Sequence, residues 1–192
     1  MADTDLLQQF VSSFRAFDEM CTKRELTPTT WELRVNEPDE FGWYEWRPTD
    51  TRTDPSLLEP IYSKVPAHFP RLYEQLVLSY RWDVIYLDTF SLLQNPPGRD
   101  LSGLLGAMSR DRAIWDALIP AGYIQFGRGP DMDYDPVCFE IKSRTQEGDY
   151  RIVKIDHEEI LCNDRLKIVA ELAPSFESLM RQTIRNAASG KQ

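Results

Sequence analysis

The chain has 192 residues with 42% hydrophobic and 11% aromatic content, enough for one core and against wholesale disorder. Its formal net charge is −9, and an acidic surface repels phosphate backbones, so nucleic-acid binding is excluded as an expectation. No apolar run approaches the roughly 18 residues of a membrane span, and Met1 to Asp5 lacks the basic-then-apolar progression of a leader, so the expectation is a soluble cytoplasmic protein with no membrane partner.

In chain order, Leu6, Leu7, Phe10, Val11, Phe14 and Phe17 make a helical stripe that Asp3 or Thr4 can cap. Trp31, Leu33 and Val35 alternate with Glu32 and Arg34 as a strand, and Trp43 to Trp46 reads as a second, joined by a hairpin loop over Asn36 to Gly42. Arg47 to Pro60 is rich in Thr, Asp and Pro and reads as a surface loop, the best position for a mobile segment. Leu72, Tyr73, Leu76, Val77 and Tyr80 mark a helix, Val84 to Leu87 a strand, and Leu101 to Ile119 one longer helical stretch ending at Pro120.

The last third is the most informative. Val137, Phe139 and Ile141 alternate with Cys138, Glu140 and Lys142, the period of a strand with one buried face. Tyr150 to Ile155 carries apolar groups on both faces and reads as more central. Between them Thr145 to Asp149, with Gly148, suits a hairpin turn needing positive φ, so an antiparallel pair is expected. Asp156 and Glu159 have the spacing of a capping box starting a short helix. Ser175 starts another, whose Phe176, Leu179, Met180, Thr183 and Ile184 fall on one stripe. Helices and neighbouring strands mingle without βαβ alternation, which predicts an α+β fold: one domain over residues 1–185, a mostly antiparallel sheet with helices packed around it, and a flexible tail over 186–192.

This block resembles the SUKH superfamily, which includes fungal cell-wall-synthesis regulators and bacterial toxin-immunity proteins. The resemblance is carried by a strand ending in Phe126 and Gly127 before a Gly- and Asp-containing loop. It is also carried by a strand leading into Asp156, His157, Glu158, Glu159 and Ile160, and by the helix start from Leu172 to Leu179. Val65 to Val77 matches the family's proline-flanked early helix, which extends the coverage to residues 60–184. Ser79 to Asp83 stands where the family usually has a small Gly-rich turn. The resemblance implies a non-enzymatic binding protein, an immunity-type inhibitor of a basic toxin domain or a regulatory scaffold.

Charge points the same way. Residues 131–164 hold ten acids against four bases and residues 36–59 hold seven against two, so the acidity is concentrated in two segments that would steer a basic partner. Asp131, Asp133, Tyr134 and Asp135, with Glu37, Asp39 and Glu40, are the partner-binding candidates; Trp43 and Trp46 are aromatic anchors if exposed, core residues otherwise.

Enzymatic motifs are weak. Asp131, Asp133 and Asp135 alternate like a calcium loop, but the sixth position is Pro136 and the twelfth is Lys142. A metal-dependent hydrolase using these three aspartates is the alternative reading. His157 has no second histidine four residues on, the position being Leu161, and reads as a first-turn helix residue. Gly127 and Gly129 lack the pattern of a phosphate cradle and read as turn residues. Asp133 and Glu140 could only nominally form a glycosidase pair. Cys21, Cys138 and Cys162 define neither disulfide framework nor zinc site and read as buried thiols. No catalytic residue, metal or cofactor is assigned, and the oligomeric state is open.

Overall fold

In the computed structural model, residues 3–17, 21–23, 31–130 and 133–190 are described. The chain begins with α1 (Asp3–Ser13), β1 (Cys21–Lys23), β2 (Trp43–Glu45) and β3 (Thr49–Asp50). Next come α2 (Glu59–Tyr62), α3 (Arg71–Ser79), β4 (Tyr80–Arg81), β5 (Ile85–Tyr86) and β6 (Ser91–Leu92). Two helices, α4 (Ser102–Met108) and α5 (Arg112–Leu118), precede β7 (Tyr123–Arg128) and β8 (Pro136–Glu140). The chain closes with β9 (Arg151–Ile155), α6 (His157–Asn163), β10 (Ile168–Ala173) and α7 (Phe176–Ala188).

The last six strands form one antiparallel sheet in sequence order from β5 to β10, a meander with α4 and α5 inserted between β6 and β7 and α6 between β9 and β10. The expected α+β class, single domain and mostly antiparallel sheet are thus observed. The β8–β9 hairpin turns at Gly148, whose φ of +80° matches the glycine requirement read from sequence.

Both faces of the sheet are covered. On one, Phe126 and Phe139 stack with centroids 4.2 Å apart, and Tyr73 of α3 and Phe176 of α7 meet them edge-on at 5.2–5.9 Å. Leu6, Leu7 and Phe10 of α1 close that layer. On the other, Tyr123, Cys138, Val153 and Ile155 pack under Ile114 and Leu118 of α5 and Ile160 of α6. The expectation of a single buried face for Val137–Ile141 is therefore corrected: β8 is buried along its whole length because α5 and α6 cover its second face.

Other departures have local causes. Trp31–Leu33 is a 3-10 turn, and pairing with the neighbouring strand is reduced to a bridge between Arg34 and Trp46. The 101–119 stretch is two helices, because Asp111 accepts the amides of Ala113 and Ile114 and starts a new one. Arg47 to Pro60 is tied down: β3 pairs with β4, Thr51 and Thr53 donate to the carbonyls of Ser79 and Leu78, and Leu58 is fully buried. The terminal helix runs to Ala188, into the segment expected as a tail, and Asn186 donates to Asp88 at 2.8 Å. Cys138 is buried as expected, Cys162 is exposed, and the side chain of Cys21 lies outside the described residues. Among the described residues no helix is long and apolar enough to cross a membrane.

Candidate functional site

The loop between β7 and β8 is where chemistry concentrates. Pro136 enters β8 and its partner across the sheet is Arg128, so the loop springs from the end of a paired hairpin. Gly129 donates to the carbonyl of Asp135 at 2.8 Å, closing the loop base. A Cβ at Gly129 would overlap the side chain of Asp133, and one at Gly127 would come 2.7 Å from the Ser91 carbonyl. The expectation that these are turn residues holds for Gly129, in the loop, and is corrected for Gly127, which lies within β7; at both, smallness serves close packing, and neither carries a positive φ.

Asp133 turns inward over Gly129, accepts the Asp135 amide at 2.9 Å and receives the Lys154 ammonium at 2.7 Å. Burial pushes its carboxyl up, but the bonds from Lys154 and the Asp135 amide outweigh that and hold it below the ordinary 3.8. Asp135 Oδ1 accepts the His157 backbone amide at 2.9 Å and lies 2.7 Å from the ring Nδ1. His157 is the first residue of α6, as its sequence position predicted, because Asp156 caps the helix by accepting the Glu159 amide at 3.1 Å. The reciprocal half of the capping box does not form: the Glu159 carboxylate takes Asn163 and Arg165 instead.

Asp133, Asp135 and His157 offer ligand atoms within 4.8 Å of one another. The Lys154 ammonium already sits in this cluster, 3.9 Å from the second Asp135 oxygen, and supplies a cation from within the chain. Asp131 lies outside the described residues. Glu140 is at the far end of β8 from Asp133, four residues beyond Pro136 at about 3.3 Å each, which separates the nominal glycosidase pair.

Beside the loop lies a cleft of about 720 Å³ between α4, α5, the start of α6 and the β6–β7 end of the sheet. Tyr134 and His157 stand on its rim, Leu93 and Ile114 on its wall, and three arginines, Arg110, Arg112 and Arg128, line it. Sequence reasoning missed this basic site within an acidic chain, because its arginines sit in three different elements or connections.

The remaining predicted residues lie elsewhere. Glu37, Asp39 and Glu40 are exposed on the turn before β2, part of the separate two-stranded sheet of β1 and β2. Glu37 pairs with Arg34 at 2.6 Å and Asp39 accepts the Phe41 amide at 2.9 Å. Trp46 is 1% exposed, so its role as an anchor is corrected to core packing; Tyr44 is buried with it. Trp43 begins β2, and its side chain lies outside the described residues. Among the described side chains here Phe41 is exposed, at 63%.

No family model matches the chain, and no curated protein does.

Proposed function

We propose that the chain is a non-enzymatic protein-binding module of the SUKH type, an immunity-type protein that binds and neutralises a basic toxin domain through its acidic loops. One observation supports the reading above the others: each acidic loop presents an exposed aromatic side chain among the described residues, Phe41 beside Glu37, Asp39 and Glu40, and Tyr134 between Asp133 and Asp135. An exposed aromatic in a polar, charged surround has the make-up of an interface anchor, and the exposed acids Glu37, Asp39 and Glu40 around Phe41 steer a basic partner.

Phe41→Ala and Tyr134→Ala variants test this, because both side chains are exposed and their removal leaves the core intact. In a pull-down from cells that contain the native partner, a basic protein retained by the native chain is expected to be lost with the double variant. Retention of the same protein by the variant would remove both loops from the interface. Several weakly held proteins in place of one would favour the regulatory-scaffold form of the reading.

A metal-dependent hydrolase is the second reading, favoured by the spacing of Asp133, Asp135 and His157. It ranks below because a metal must displace Lys154 from Asp133. Calorimetric titration with magnesium, calcium and manganese is expected to give no saturable heat; a saturable heat abolished by Asp135→Asn would reverse the ranking.

A further inference from the structure

Strand β7 contains a register shift. Gln125 faces Cys138 and Gly127 faces Val137, so one residue of β7, Phe126, is left over between them. This bulge places both Phe126 and Gly127 toward the aromatic core and turns Arg128 to the opposite face, where Gln125 also lies. Under strict alternation Arg128 would share the face of Ile124 and Phe126, inside the core. The bulge instead delivers its guanidinium to the cleft.

Among the described residues Arg128 makes no side-chain hydrogen bond or ion pair, and its Nε is buried without a partner. Arg110, exposed at the mouth, has no carboxylate partner either. Arg112 is held only by Asp116 at 2.9 Å in an exposed pair, which a ligand can displace. Among the described residues the carboxylate lining the cleft, Asp111, is occupied in capping α5. In a chain with 31 acids and 22 lysines and arginines, three guanidiniums around one cavity, of which Arg128 and Arg110 make no ion pair among the described residues, mark a place for an anion.

We propose that this cleft binds a small molecule with an anionic head, a carboxylate or phosphate, carried on an apolar or aromatic body. Arg128 holds the head, Arg110 and Arg112 close over it, and the body lies against Leu93, Ile114 and the exposed faces of Tyr134 and Leu161. The volume is that of a small-molecule site. Gly106, in α4, lines it beside free space: a Cβ there meets nothing within 4 Å, whereas one at Gly103 would strike Pro96. A glycine at Gly106 is thus not demanded by packing, and in a helix interior it is the less favourable choice.

Calorimetry of the full chain with phenyl phosphate, benzoate and inorganic phosphate, against phenol and benzylamine, tests the proposal. Saturable binding of phenyl phosphate or benzoate is expected, and whichever is tighter identifies the head group. Arg128→Gln is expected to weaken it at least about tenfold. Gly106→Phe fills the cleft from a position with free space and is expected to abolish binding while thermal unfolding stays native-like, which separates loss of the site from loss of the fold. Phe41→Ala is expected to leave probe affinity unchanged, so this inference and the protein-binding reading fail separately. The proposal is overturned if no anionic probe binds at concentrations on the order of 10 mM, where fragments of this size bind. It is equally overturned if benzylamine binds as tightly as benzoate, if inorganic phosphate matches phenyl phosphate, or if Gly106→Phe binds like the native chain.

Discussion

Glu140 is a carboxylate almost without solvent contact, its side chain 1% exposed at the end of β8. Arg151 Nε donates to it at 2.7 Å, the Lys142 ammonium lies 3.1 Å away, and the Tyr123 hydroxyl donates at 3.3 Å. Burial raises its pKa, the bonds from Arg151 and Lys142 outweigh that, and the net value falls below the ordinary 4.5. A carboxyl whose folded pKa is depressed contributes stability in full above its unfolded value, and that contribution is lost as pH falls through the folded one. Glu140→Gln is therefore expected to cost about 1–3 kcal/mol near neutral pH. The gap between variant and native chain should narrow below about pH 4.5. Urea unfolding across that range measures it, and a gap independent of pH would show that the carboxylate's charge contributes nothing. None of this was legible locally: Glu140 read as the exposed half of an alternating strand, and only the tertiary packing that brings Tyr123 and Arg151 against it encloses it.

Among the elements, α7 shows how far a sequence pattern reaches. Its start at Ser175 and its buried stripe of Phe176, Leu179, Met180 and Thr183 were both readable, because cap and stripe lie within a few turns of each other. Its second cap was not. Asp149, in the β8–β9 turn, accepts the amides of Phe176 at 3.0 Å and Glu177 at 3.3 Å, from 27 residues upstream. Asp149→Ala removes an acceptor for two otherwise free amides and a negative charge at the positive helix end, with an expected loss of about 1–2 kcal/mol. Thermal unfolding of Asp149→Ala beside Asp149→Asn checks this: the amide oxygen of Asn should restore part of the loss, and equal damage by both would point to the turn, not the cap. Strand β10 escaped sequence reading because Ile168, Val169 and Glu171 are exposed on a sheet edge with two register irregularities, which erases alternation. The break between α4 and α5 was readable in Asp111, but the continuous apolar spacing from Leu101 to Ile119 masked it.

For the molecule as a whole, the sequence by itself determined the α+β class, the antiparallel β8–β9 hairpin, the helices that cap and stripe themselves, and the concentration of acid in two segments. Each is set by local periodicity, turn chemistry or composition, which a linear chain states directly. Tertiary structure decided the rest. It buried Trp46 and left Phe41 outside, paired Asp135 with His157 and Asp133 with Lys154 across about twenty residues, and used a bulge to turn Arg128 out of the core into a cleft shared by three helices. Which face a side chain occupies, and which distant group neutralises it, depends on how the layers pack, and packing involves residues whose separation along the chain carries no periodic signal.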